Sequence, residues 1–229
     1  MMIRYLALLL ALLTLPALAA PRQVEIDYRL SHNGLEVGTV HETYTRQGSR
    51  YRIDSQTRAV GPLAILFKGQ LDSSSEGKVT KHGLRPLKFE QTRSDAPKKN
   101  LSAHFDWKTR QVTHTAKERS ETTALPADTQ DRLSVLYQFM FAKPGAKTLD
   151  FDVSSGHDLY HEVYTLVGEE TLATPAGEFK TLHYRNQPEQ GEKQIEVWLA
   201  RDKHYLPAQV RVVEDGATAL QTLTRIKTE

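Results

Sequence analysis

Apolar and polar residues alternate with a period of two along most of this chain. Val24, Ile26, Tyr28 and Leu30 share one parity while Glu25, Asp27, Arg29 and Ser31 share the other, the pattern of a strand with one buried and one wetted face. Asn33-Gly34 then supplies the positive φ angles of a two-residue hairpin turn, and Leu35, Val37 and Thr39 open the return strand. That strand runs on to Tyr44, Gln47-Gly48 turns it, and Tyr51, Ile53 and Ser55 begin a third. Further strands are predicted near 70–75, 78–81, 87–92, 101–107, 111–117, 149–153, 159–165, 179–183, 195–199 and 206–213, with a last one through Leu220, Leu223 and Ile226. The breaks carry turn residues, among them Glu76-Gly77, His82-Gly83, Lys108-Thr109, Thr174-Pro175-Ala176-Gly177 and Asp215-Gly216. Residues 118–129, polar and holding Pro126, read as a connection.

One stretch departs from this period. Between residues 128 and 142, Leu133, Leu136, Tyr137 and Met140 fall at i, i+3, i+4 and i+7, widened by Val135 and Phe139, which predicts a helix over about 129–142 packed on the sheet. Asp128 is its expected N-cap, Asp131 adds charge to the first turn, and Pro144-Gly145 stops it. The expected fold is all-β and mainly antiparallel: a curved meander sheet or open barrel of roughly a dozen strands with one packed α-helix. No linker interrupts residues 20–229, which read as a single β-rich domain.

The first residues change where this fold is expected to work. Arg4, the apolar run 6–15, Pro16 and Ala17-Leu18-Ala19 have the layout of a secretory signal peptide over residues 1–19. The run is shorter than the roughly 20 residues of a membrane span, and no second such segment follows, so the mature chain is expected to be soluble and periplasmic without an integral span. With no cysteine in the chain, disulfides and a lipid-bearing cysteine are both excluded. The formal charge is only +2, one unit of it from Arg4, and that balance argues against nucleic acid as a partner.

Candidate chemistry is sparse. His157, Asp158 and His161 form the one tight group of metal-ligand types, but on a strand positions 157 and 161 lie about 13 Å apart, so no metal and no cofactor are expected. The chain has no G-x-S-x-G elbow and no glycine-rich phosphate loop before a helix, and Ser73-Ser74-Ser75 reads as turn chemistry. The run 61–69, with Leu63, Ile65, Leu66 and Phe67 between glycines, reads either as a short buried strand or as a flap over an apolar cavity. Aromatic residues spread over many strands would line a solid core or such a cavity. Should a ligand be held, Leu63, Ile65, Leu66 and Phe67, with Leu136, Tyr137 and Met140 of the helix and Trp198, are the expected binding residues. Trp198, opposite in parity to Ile195, Val197 and Leu199, is expected to reach a partner surface or a second sheet.

Several segments taken in order also carry a resemblance. They are Tyr28-Arg29-Leu30 with Gly34-Leu35-Glu36-Val37-Gly38, Gly83-Leu84-Arg85-Pro86-Leu87-Lys88-Phe89, and Asp131-Arg132-Leu133-Ser134-Val135-Leu136-Tyr137, followed by Thr174-Pro175-Ala176-Gly177-Glu178-Phe179 and Glu196-Val197-Trp198-Leu199-Ala200 with Asp202 and Leu206-Pro207. Together they resemble DUF3108, an exported bacterial domain of unknown function. What the resemblance implies is a periplasmic all-β protein with no established catalytic residues. More distantly the expected architecture resembles the half-barrel lipid carriers of the periplasm, an analogy of shape alone. The expected role is therefore non-enzymatic: a periplasmic binding or envelope-maintenance protein holding a lipid-like or other apolar ligand, or an envelope protein, on a concave sheet. A protein-interaction module with a filled core and a hydrolase with an unrecognised site are the alternatives.

Overall fold

The computed structural model describes residues 20–61, 64, 69–117, 119–143, 145–188 and 193–229. The segment 1–19, expected to be a signal peptide, and the candidates Leu63, Ile65, Leu66 and Phe67 lie outside the described residues. Among the described residues fifteen strands form one sheet. β1 (Gln23–His32), β2 (Leu35–Gln47), β3 (Arg50–Ala59), β4 (Gln70–Thr80), β5 (Gly83–Arg93), β6 (Leu101–Asp106), β7 (Gln111–Ala116) and β8 (Arg119–Ala124) step outward to one edge. β9 (Gln130–Asp131) forms the opposite edge, and after the helix α1 (Ser134–Gln138) the chain returns through β10 (Thr148–Ser154), β11 (Leu159–Thr174), β12 (Gly177–Asn186), β13 (Gln194–Ala200), β14 (Leu206–Glu214) and β15 (Ala217–Thr228). β15 pairs antiparallel with β1, so the first and last described strands meet mid-sheet, and among the described strands only β9 and β10 run parallel.

This order forces curvature. Fifteen strands laid flat, at about 4.8 Å for each of fourteen intervals, would span about 67 Å. Yet residues 125–129 alone join β8 at one edge to β9 at the other, and such a length of chain reaches about 20 Å. The sheet therefore curls until its ends overlap, without closing into a barrel. Side chains bridge the overlap in place of a backbone ladder. Ser75 on β4 donates to Asp131 on β9 at 2.5 Å, the Gln130 amide donates to the Leu84 carbonyl at 2.9 Å, and His114 on β7 meets Ser154 on β10 at 2.8 Å. Gln130 and Asp131 have no exposed surface, so this edge is hidden from edge-to-edge pairing.

The strand parities hold where they were clearest. Val24, Ile26 and Tyr28 are buried, as are Val40, Tyr44, Tyr51 and Ile53, and Asn33-Gly34 turns with both φ angles positive, 49° and 81°. Elsewhere the structure corrects the sequence reading. The segments predicted near 70–75 and 78–81 are one strand, Gln70–Thr80, and Glu76-Gly77 continues it instead of turning, opposite a bulge at Leu87 of β5. Gly77 is there because another strand presses on it: a Cβ would lie 2.2 Å from the Arg85 carbonyl oxygen. Ser73-Ser74-Ser75 is likewise strand, and the supposed connection 118–129 holds β8, an edge strand whose polar residues stay wet.

The helix is shorter than its periodicity predicts. Ser134–Gln138 is α-helical and Phe139–Phe141 adds one 3-10 turn, while Gln130 and Asp131 pair with Val153 and Ser154 as strand. Asp128 sits at φ 58° and caps nothing; Asp131 Oδ1 accepts the backbone N–H of Leu133 at 2.9 Å and of Ser134 at 2.8 Å. The apolar stripe extended across residues whose backbone a neighbouring strand had already claimed, and strand pairing won. The element also buries more than a stripe: Leu133, Ser134, Val135, Tyr137, Gln138 and Phe139 are buried, whereas Leu136 and Met140 are only half so.

Candidate functional site

The concave side of the sheet is occupied by the chain itself. Tyr137 stacks on Tyr44 with ring centroids 5.4 Å apart, and Tyr44 on Tyr51 at 6.4 Å. The Tyr137 hydroxyl donates to Glu42 Oε2 at 3.1 Å and Ser55 donates to Glu42 Oε1 at 3.1 Å. Glu42 occupies a core-facing parity of β2 between Val40 and Tyr44, and burial pushes its carboxyl up despite those two donors. Linked to Tyr51 through Ser75, Asp131 is fully buried; burial pushes it up to about 6, against the lowering effect of the Ser75, Ser134 and Leu133 bonds. Gln138 fastens the other side of the helix, accepting from the Leu84 N–H at 2.7 Å and donating to the His82 carbonyl at 2.8 Å. Buried polar groups need such partners, and here they tie α1 to β2, β4 and β5.

Of the expected lining residues described, then, Tyr137 is core with its hydroxyl engaged, and Leu136 and Met140 lie at the half-buried margin of the helix. Trp198 is separate from them. All the described strands belong to one sheet, and Trp198 reaches no second one among them; it stacks on His183 at 4.2 Å and donates its indole N–H to Glu170. His183 in turn lies 2.8 Å from Glu196, which also receives Arg211 at 3.0 Å and Arg185 at 3.4 Å. Burial would raise the Glu196 carboxyl, but His183 and Arg185 hold it below its ordinary range.

The catalytic candidates resolve into structural contacts. His114 and Ser154 make the one buried Ser–His hydrogen bond among the described residues, yet they are 3% and 0% exposed, so no substrate reaches the hydroxyl without parting the sheet ends. His157 pairs with Asp158 at 2.7 Å while His161 turns to Asp152 at 3.1 Å. Among the described residues no group of three or more His, Asp or Glu is placed to hold a metal ion.

The outer face carries open polar surface. A depression of about 580 Å³ lies over β15, β1, β2 and β3, lined by Arg29, Thr39, His41, Gln56 and Arg58 among others. A second, of about 230 Å³, begins beside Gln56 and continues over β3, β4 and β5 past Asp54, Asp72 and Glu90. Within the first, Asp27 already receives His41 at 2.6 Å and Arg225 at 2.5 Å. Burial would raise the Asp27 carboxyl, but these two partners hold it below the usual carboxylate range. Sequence reasoning missed this surface, because only the register brings β1, β2 and β3 side chains into one row. Glu42 was legible in principle: a carboxylate in an apolar row is a visible exception.

A family model described as a protein of unknown function, DUF3108, matches residues 25–223, and the chain belongs to that family. No curated protein matches it. Among solved structures it is similar to a β-barrel-like protein of a domain of unknown function, DUF1849, from Brucella abortus, with a TM-score of 0.60 at 8% identity, covering 92% of this chain and 99% of that one. It also matches a Bacteroides fragilis protein described as exported, with a YmcC-like fold, at a TM-score of 0.36 and 11% identity over 91% of this chain and 98% of the other. The first likeness shows the fold alone. No helix among the described residues is long and apolar enough to cross a membrane.

Proposed function

We propose that this is an exported, non-enzymatic protein of the periplasm that works as a binding or maintenance component of the cell envelope, engaging its partner on the outer face of the curled sheet. One observation carries the choice of face: the concave side is filled by α1, with Tyr137 stacked on Tyr44 and bonded to Glu42. Close-packed interiors leave no room for a ligand-sized molecule. Export rests on the layout of residues 1–19. The alternative of a hydrolase draws no support from the Ser154–His114 pair, which is sealed.

A second reading keeps the concave site. Leu136 and Met140 are only half-buried and would offer an apolar margin to a lipid-like ligand, with Tyr137 displaced. Native mass spectrometry of the protein purified from bacterial periplasm, followed by organic extraction, separates the two. A bare protein mass, with no uptake from an added lipid panel, is the expected result. A stoichiometric amphiphile would overturn the outer-face reading and restore the interior one.

A further inference from the structure

Two arginines line the larger outer depression without the carboxylate partners that hold several others on that face. Arg52 is held by Asp54 and Glu76, Arg225 by Asp27 and Glu25, and Arg185 and Arg211 by Glu196. Arg29 and Arg58 have no carboxylate partner among the described residues; Arg58 spends only its Nε, on Gln70 Oε1 at 3.1 Å. Their placement is set by register. Arg29 on β1 lies opposite Thr39 on β2, and Thr39 opposite Arg58 on β3, so the two arginines flank one threonine in a single row. Two strand spacings put their Cα atoms about 10 Å apart, a gap that two long side chains close around one group.

Guanidinium forks match oxyanions in shape and charge, phosphate above all. The other groups facing the same space are hydrogen-bonding ones of both senses. Gln56 offers an amide and Glu36 at the rim an acceptor, while Asp27 is already taken up by His41 and Arg225. Glu36 makes no ion pair with either arginine, so both forks stay free, and its carboxylate suits a hydroxyl donor better than a second anion. Among the lining residues the only rings are the buried Tyr28 and the His41 imidazole, which Asp27 holds, so no Phe, Trp or exposed Tyr offers a stacking platform.

We propose that the depression between Arg29 and Arg58 binds a phosphate ester whose neighbouring carbons carry hydroxyls. The oxyanion sits over Thr39 between the two forks, and the hydroxyls meet Gln56 and Glu36. A soluble sugar phosphate and the glycerol phosphate headgroup of a lipid share this chemistry. The assignment rests on the outer-face reading above and names the ligand class for that face.

Calorimetric titration of the whole exported chain with glucose 1-phosphate forms one arm, and cosedimentation with phosphatidylglycerol vesicles the other, with glucose and pure phosphatidylcholine vesicles as controls. Binding in either charged arm and in neither control is expected; the first arm alone identifies a soluble source, and the second a membrane one. Arg29→Gln and Arg58→Gln should each weaken binding about tenfold, with thermal unfolding unchanged because both side chains lie on the wet face. Arg52→Gln, in the neighbouring depression, should leave it intact. The assignment is overturned by no binding in either arm up to about 10 mM phosphate ester, by undiminished binding in the Arg29/Arg58 double variant, or by an equal loss in Arg52→Gln. An apolar ligand extracted from the interior would sink the outer-face reading by a different measurement, leaving this titration to be read on its own.

Discussion

His114 Nε2 and Ser154 Oγ lie 2.8 Å apart although they belong to β7 and β10, strands near opposite ends of the sheet order. Ser154 also accepts the Gly156 N–H at 3.2 Å. This contact does for the overlap what a backbone ladder would do for a closed barrel. Ser154→Ala strands a buried ring nitrogen and should lower the free energy of unfolding by about 1–3 kcal/mol. His114→Leu should cost a similar amount, and the double variant less than the sum, as measured by urea denaturation. Strict additivity would mean that the bond contributes nothing.

The same imidazole gives the overlap an acid limit. Burial pushes His114 below its ordinary value of 6.5. The unfolded chain therefore takes up this proton first, so the contribution of His114 is complete above about 6.5 and is lost as pH falls below it. His114→Gln should flatten the acid side of the stability profile, and an unchanged profile would exclude His114 as its source.

Asp131 works in the other direction. Its carboxyl is pushed up from 3.8 to about 6 by burial, so its contribution is present in full below 3.8 and lost as pH rises through about 6. Asn at this position keeps the oxygen that caps Leu133 and Ser134 but cannot ionise. Thermal unfolding of wild type and Asp131→Asn, compared from about pH 4 to about pH 8, should show any advantage of the wild type shrinking across that range. A constant difference would refute the buried-carboxylate account.

Tyr137 tests how the helix is held. Tyr137→Phe keeps the ring stacked on Tyr44 and removes only the donor to Glu42, for an expected loss of about 1–3 kcal/mol. Tyr137→Ala also empties the space that the ring fills and should cost about 3–5 kcal/mol. Chemical denaturation distinguishes them; a Phe variant as stable as the wild type would show that packing alone holds α1.

Two glycines separate close approach from open space. At Gly77 an added Cβ would meet the Arg85 carbonyl at 2.2 Å, whereas at Gly168 nothing lies within 4 Å. Gly77→Ala should cost more than about 2 kcal/mol, because backbone must move. Gly168→Ala should be neutral or stabilising by up to about 1 kcal/mol. Melting temperatures of the pair check both, and equal effects would put the close approach of β5 to Gly77 in question.

Local chemistry accounts for what was legible. Val24 to Leu30, the Asn33-Gly34 turn and Ile195 to Leu199 declare their strands, because a two-residue period and a turn are properties of neighbouring residues alone. The long meander and its curvature follow from repeating that pattern. Three features needed the folded chain. The helix over 129–142 shrank to Ser134–Gln138 because Val153 and Ser154, more than twenty residues later, pair with Gln130 and Asp131. The Arg29–Thr39–Arg58 row depends on a bulge that shifts the β1–β2 register between Leu30 and Ser31; an unbroken hairpin would set Gly38 opposite Arg29. One slipped residue moves every later side chain to a different neighbour. The Ser75–Asp131 and His114–Ser154 bonds join strands that are distant in the sheet order, a distance that only curling removes. The amino-acid pattern by itself thus determined that this protein is a mainly antiparallel meander, since alternation and turn geometry are local. Overlap of the sheet ends, the seating of Tyr137 on Tyr44 and Glu42, and two unpaired arginines in one row were decided by tertiary structure, because each depends on contacts between residues that no short-range rule relates.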